Sequence, residues 1–299
     1  MDNLQILIDA PSLAVQLAID GILIGAILAL AAFGMALVWG VMNIINIAQG
    51  EFVIMGGYAT LTLTGLGIPP LLTLPLAPVV MFVVGWIIYR IVIFRVVDRD
   101  LFISILATFG ISILLQQLIN QVYGPDIQAV QSGLTTRFFF DDALRLPEIR
   151  MLAVGIVIVL GLGLAVFLKS TRMGRAIRAT AQNPRAARIM GVDTDKVYAT
   201  TYALNAAICG AAGSLIVMTL VIGPFSGIVY TVRSFLIVIV AGLGNIPAVI
   251  VAAFGLGAAE NYAGFILGAE FQVAFVFGLL VVIIVGRNLL LSRQRKYLK

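Results

Sequence analysis

The stretch VWGVMNIINIAQGEFVIMGGY, Val38 to Tyr58, lies inside a long apolar region yet carries Asn43, Asn46, Gln49 and Glu51, with Gly50 between the last two. Amides and a carboxylate in such surroundings mark either a polar lining within a membrane bundle or a break between two segments at the lipid surface. The composition around the stretch decides the class. Of the 299 residues, 61% are hydrophobic and 11% charged, against about 25% charged in soluble domains. Apolar runs of about 20 residues, enough for a helix to cross a bilayer, recur along the chain. The short alternating segments of a β-barrel are missing from the sequence. The fold class read here is all-α: one polytopic integral membrane domain over 1–299 with about 8–10 transmembrane helices.

The chain has no histidine and one cysteine, Cys209. That removes the commonest metal ligand, the commonest general base and any internal disulfide framework. No Ser/His/Asp set or zinc spacing can exist, so no catalytic or metal residues are assigned. FLKS (Phe167 to Ser170) looks superficially like the end of a P-loop, but Leu168 stands where that motif needs glycine. The N-terminal MDNLQILIDAPS lacks Lys and Arg, so the first helix is expected to be retained rather than cleaved as a signal.

Basic residues set the expected orientation. Arg90, Arg95 and Arg99 surround one loop, seven residues from Lys169 to Lys196 a second, and five from Arg287 to Lys299 the tail. These are fifteen of the nineteen basic residues, and the positive-inside rule places all three segments in the cytoplasm. The loop 120–148, with Asp126, Asp141 and Asp142 against Arg137 and Arg145, is expected outside. Spans are expected at 14–38, 44–66, 71–93, 101–120, 150–168, 198–222, 228–244, 247–266 and 270–288. Nine crossings put the N-terminus outside and the C-terminus inside. Breaks near Gly50, Gly223 and Gly242 mark places where half-helices could replace full crossings. Gly21/Gly25 and Gly264/Gly268 form GxxxG pairs that suit close helix packing.

Within the spans, Asn43, Asn46 and Gly50 are three or four apart, so one helical face could carry them. With Gln49 and Glu51 they read either as a pathway lining or as groups at the cytoplasmic rim. Glu260 and Asn261 are candidates for the pathway or for helix packing. Arg233 is expected to snorkel, with pairing to a carboxylate as the alternative. Asp20 is expected either at the interface or as a partner for Arg233.

The loop KSTRMGRAIRATAQNPRAARIMGVDTDKVYA, Lys169 to Ala199, is too polar for membrane. GRAIRATAQ reads as one short helix. Asn183 as N-cap and Pro184 at the first position begin a second, which Gly191 ends. Two such helices suit docking on another protein or lying on anionic headgroups.

Here a resemblance becomes specific. GRAIRATAQNPRAARIMGVDTDKVYATTYALNAAICGAAGSL resembles the cytoplasmic loop and following helix of bacterial ABC importer permeases of the branched-chain amino acid type. VWGVMNIINIAQGEFVIMGGYAT, ILATFGISILLQQL, VYGPD and IVAGLGNIPAVIVAAFGLGAAEN resemble further landmarks of that family, in its order, over about residues 15 to 285. The chain departs in Gln49, where the family often has histidine, which removes proton chemistry near neutral pH at that position. Its ending, GRNLLLSRQRKYLK, also departs from the family's.

The resemblance implies a permease subunit of the bacterial inner (plasma) membrane, not an enzyme, that moves branched-chain or related hydrophobic amino acids. It implies a second permease subunit or second copy, two cytoplasmic ATPase subunits and a periplasmic substrate-binding protein as partners. ATP and magnesium would reside on the ATPases, with no cofactor on this chain and no nucleic acid. Arg172, Gly174, Arg175, Arg178, Asn183, Pro184, Arg188 and Gly191 would form the ATPase-coupling element. Asn43, Asn46, Gln49, Gly50, Glu51, Glu260 and Asn261 would belong to the substrate pathway. Urea or short-amide uptake, and an ion-coupled secondary transporter, are the alternative readings.

Overall fold

The long apolar runs fold as helices because helices satisfy their own backbone groups away from water. A computed structural model describes residues 3–97, 99–139, 144–242 and 244–296. Asp2, Asp141, Asp142 and Tyr297–Lys299, used above for orientation and the tail, lie outside the described residues. The helices are α1 (Asn3–Asp9), α2 (Pro11–Met42), α3 (Gln49–Gly65), α4 (Pro70–Ile91), α5 (Leu101–Tyr123), α6 (Glu148–Ser170), α7 (Arg172–Gln182), α8 (Pro184–Ile189), α9 (Thr194–Thr219), α10 (Gly227–Ala241), α11 (Ile246–Leu267) and α12 (Gln272–Lys296).

Each of the nine expected spans has a helix. Among the described residues, seven are long and apolar enough to cross a membrane. The other two, α3 and α10, have 17 and 15 residues, or about 25 and 22 Å at 1.5 Å per residue. The basic tail, expected to follow the last helix, instead continues it: α12 runs to Lys296. The loop 120–148 contains a short antiparallel hairpin, β1 (Thr136–Phe139) and β2 (Leu144–Pro147), with Thr136 opposite Pro147.

α2 from Gly21 onward and α9 from Val197 onward are buried on nearly all sides, which marks them as the centre of the bundle. α2 runs antiparallel to α11: Gly21 faces Gly257 and Ala258, while Gly25 faces Ala253 and Phe254. A Cβ on Gly21 would come within 2.6 Å of Ala258 Cα. That GxxxG pair is therefore a packing face, the means by which helices approach when lipid removes the hydrophobic drive. Gly264/Gly268 is not: Gly268 has φ 104° and ends α11, and Gly264 meets the Gln272 side chain at the turn into α12.

The same construction recurs in the second half. α4 runs antiparallel to α9, with Ala77 and Met81 against Gly210, and Gly85 against Ala203 and Ala206. α3 runs parallel to α9: Gln49 meets Asn205, Gly56 meets Gly210 and Thr60 meets Ser214. α10 packs on α2, with Trp39 stacked on Phe235 at 5.0 Å between ring centroids. Long helix, break, half-helix, long helix thus occurs twice, as α2–α3–α4 and α9–α10–α11, each final helix packing on the other half's first.

Both half-helices begin at mid-depth. Gln49 bonds Ala31, which lies 11 residues before the end of α2, and Asn205, which lies 11 residues into α9. That is about 16 Å along each helix, roughly half of a ~30 Å hydrocarbon core. Gly50 and Glu51 in turn touch Gly227, the first residue of α10.

Candidate functional site

The chain leaves α2 at Asn43, whose left-handed backbone (φ 53°) caps the helix with its N–H on the Trp39 carbonyl. Residues 43–46 are not helical. The expected single helical face for Asn43, Asn46 and Gly50 is therefore corrected. Asn43 is exposed at the cap, while Asn46, Gln49, Gly50 and Glu51 are buried inside the protein. Glu51 is thus enclosed by protein rather than open at a surface. The physical reason is the αL turn at Asn43, which sends the chain back into the bundle before α3 starts.

Two polar clusters result. In the first, the Gln49 amide nitrogen lies 2.8 Å from the Ala31 carbonyl, 2.9 Å from Asn205 Oδ1 and 3.1 Å from Cys209 Sγ. Its Oε1 accepts from Asn46 Nδ2 at 3.2 Å. An amide carries only two N–H donors, so the three acceptors share them. Asn46 Oδ1 and Asn205 Nδ2 have no protein partner. Gly34 leaves the room for this cluster, since a Cβ there would overlap Asn205 Oδ1.

The second cluster is built on Glu51, which has zero exposure. Its Oε1 accepts from Gln116 Nε2 at 2.8 Å and Ser112 Oγ at 3.2 Å, both on α5. Its Oε2 has no partner. Gly227 lies against the carboxylate, so the N-terminal end of α10 faces a negative group, which its dipole favours. Gly50 N–H donates to Thr231 Oγ1 at 2.8 Å, and Thr231 donates to the Ile47 carbonyl at 2.9 Å. These bonds tie the two half-helix starts together. Further along α3 and α5, a cleft of about 410 Å³ is walled by Met55, Ala59, Leu118 and Val84. Tyr58 and Tyr123 also line it, with ring centroids 4.6 Å apart.

Glu260 and Asn261 lie elsewhere. Arg233 on α10 is not snorkelling: both its Nε (3.1 Å) and its Nη2 bond the Glu260 carboxylate. Their side chains are 16% and 8% exposed, and so little water leaves pairing as the low-energy option. Asn261 donates to the Leu17 carbonyl at 2.8 Å, which joins α11 to α2. Asp20 pairs with Arg150 at 2.8 Å rather than with Arg233.

The basic loop forms α7 and α8 as read. Thr171 caps α7 by accepting from Gly174 N–H at 2.9 Å, and Asn183 caps α8 through Ala186 N–H at 3.0 Å. Pro184 is the first residue of α8, and Gly191 has φ 82°. Gly174 lies where a Cβ would come 2.6 Å from Leu168 Cα, so only glycine permits the tight corner between α6 and α7. Ile177 and Thr180 turn inward, while Arg172, Arg175 and Arg178 are exposed. At the tip, Ile189 and Met190 are 86% and 83% exposed.

Side-chain bonds connect this tip to the bundle. Arg188 Nε donates to Thr194 Oγ1 at 2.6 Å, and Asp193 caps α9 through Lys196 N–H at 3.0 Å. Asp195 then holds Arg90 at 2.6 Å and Tyr89 at 2.7 Å on α4. Sequence reasoning missed Ser112, Gln116, Tyr58 and the Ile189–Met190 tip. A signal for the first two existed: Ser104, Thr108, Ser112 and Gln116 recur every fourth residue, one face of a helix.

Two half-helices whose N-terminal ends meet at mid-depth, next to buried polar groups, define a membrane transport protein. The chain belongs to the family of permease components of branched-chain amino acid transport systems, whose family model matches residues 17–284. It is a transport subunit embedded in a membrane rather than an enzyme. It is 31% identical over 87% of its length to the probable branched-chain amino acid transport permease LivH of Methanocaldococcus jannaschii, covering 84% of that protein. It is 29% identical over 89% of its length to the high-affinity branched-chain amino acid permease LivH of Escherichia coli K12, covering 91% of it. For BraD of Pseudomonas aeruginosa the figures are 27%, 91% and 93%. No solved structure matches the chain.

Proposed function

We propose that this chain is the permease subunit of an ATP-driven importer for branched-chain or related hydrophobic amino acids in a bacterial plasma membrane. In this reading α7 and α8 lie on the cytoplasmic side, together with the C-terminus, and the N-terminus lies outside. The exposed Ile189–Met190 tip seats on a cytoplasmic ATPase subunit. A second permease subunit completes the pathway, and an external binding protein delivers substrate. ATP and magnesium stay on the ATPases, and this chain itself holds no cofactor.

The observation that carries the reading is the chain of side-chain bonds from the tip into the helix bundle. Arg188–Thr194 and Asp195–Arg90–Tyr89 join α8 to α9 and α4, and α9 carries Asn205 to the Gln49 cluster. A push on the tip therefore moves the helices that hold the half-helix starts, which is the two-state element a partner can bias. Replacing Gly191 and Arg178 is expected to uncouple transport from ATP hydrolysis while the protein still inserts. Unchanged transport in both variants removes the coupling role. Purification of the chain as an active transporter without ATPase subunits would reject the whole proposal.

A further inference from the structure

α4, α5 and α6 each turn a long face out of the bundle, and these faces differ. Between their ends, α4 and α6 turn outward only apolar side chains and glycine, among them Val79, Val83 and Trp86 on α4 and Leu152, Val159 and Leu162 on α6. Lipid tails match such faces. On α5 the exposed stripe runs through Gly110, Leu114, Gln117 and Gln121, spaced four, three and four residues apart. Among the described residues, neither Gln117 nor Gln121 finds a side-chain hydrogen-bond partner in the chain.

Gln117 lies well inside the membrane. Its neighbour Gln116 bonds Glu51, which follows Gln49 by two residues at the mid-depth start of α3. An amide at that depth finds no partner in a lipid tail, and polar groups there face protein or water. Between helices in a membrane, amide side chains bond across the contact and small residues let the backbones approach. Gly110 has open space where a Cβ would stand, so one stripe offers both marks. Within the chain, α5 packs chiefly on the half-helix α3, whereas α6 packs on both central helices, α2 and α9. The outward face of α5 thus combines thin cover from its own chain with polar groups that lipid cannot satisfy.

We infer that this stripe of α5 is the contact face for the second permease subunit, whose helix approaches closest at Gly110 and whose polar groups bond Gln117 and Gln121. Lipid would leave both amides unmet, and the ATPases and binding protein of that reading lie outside the bilayer. The inference rests on the permease reading above and adds to it the face on which the two subunits meet.

The test uses the complete importer in nanodiscs of phosphatidylethanolamine and phosphatidylglycerol. Gln117→Cys, Val83→Cys and Val159→Cys are each labelled with a maleimide benzophenone and irradiated; the native Cys209 is buried, and the unsubstituted complex serves as the blank. The label on Gln117→Cys is expected to join the second permease subunit several-fold more than the other two labels, which join lipid. If it yields no more of this product than they do, the face is overturned. Should Gln117→Cys fail to assemble, Leu114→Cys on the same stripe decides by the same measure. Gln117→Leu combined with Gln121→Leu is expected to raise the fraction of importer that loses a permease subunit in mild detergent several-fold, and an unchanged fraction overturns the role of the amides. An importer whose native mass includes no second permease subunit defeats the permease reading itself, which separates the two failures.

Discussion

α3 and α10 start at the same depth, each follows a long central helix, and each is followed by a helix that packs on the opposite centre. At α10 the charges close on each other: Arg233 and Glu260 form a two-bond ion pair inside the second half. At α3 the charge stays open, with Glu51 Oε2 free and its other oxygen held by neutral Ser112 and Gln116. A repeated backbone plan thus serves two ends. One half pairs its buried carboxylate with a cation, while the other holds its carboxylate by neutral hydrogen bonds alone. Polar groups left unmatched at depth reduce stability, so they persist where function needs them.

This contrast can be broken most sharply at Glu260. Glu260→Ala leaves the Arg233 guanidinium buried without a partner, and a loss of about 3–5 kcal/mol is expected in the thermal unfolding of the purified protein. Replacing Arg233 and Glu260 together by leucine is expected to recover most of that loss. An unchanged melting temperature in Glu260→Ala would mean the pair is not structural. The symmetry of the packing is tested by Gly25→Val on α2 and Gly210→Val on α9. A Cβ at Gly25 overlaps Ala253 O, and one at Gly210 comes 2.9 Å from Met81 Cγ. Each is expected to cost about 1–3 kcal/mol, and a large cost in only one of them would show that the halves are not equivalent. Gln49→Leu removes the donor shared by Ala31, Asn205 and Cys209. A smaller loss of about 1–2 kcal/mol is expected, as for one unsatisfied neutral group. Glu51→Gln should have the least effect on unfolding, under about 1 kcal/mol, because removing a buried unpaired charge offsets the weaker bonds to Gln116 and Ser112. A destabilisation as large as that of Glu260→Ala would put Glu51 in the same structural role and erase the difference between the halves.

The amino-acid sequence by itself determined the class, because 61% hydrophobic residues in runs of membrane length admit few other folds. It also determined the local features whose signals are short-range: the Asn183 cap, Pro184 at the first turn and the left-handed Gly191. Each depends on residues a few positions apart, so the chain states them openly. Only the tertiary structure decided the rest. Nothing local in Val38 to Tyr58 says that the turn at Asn43 carries Gln49 back to Ala31 and Asn205. The partners of Arg233, Asp20 and Glu51 lie 27, 130 and 61 residues away. No local pattern encodes such distances. Charge pairing at depth is decided by which helices touch, and in lipid that follows from where small residues let two backbones meet.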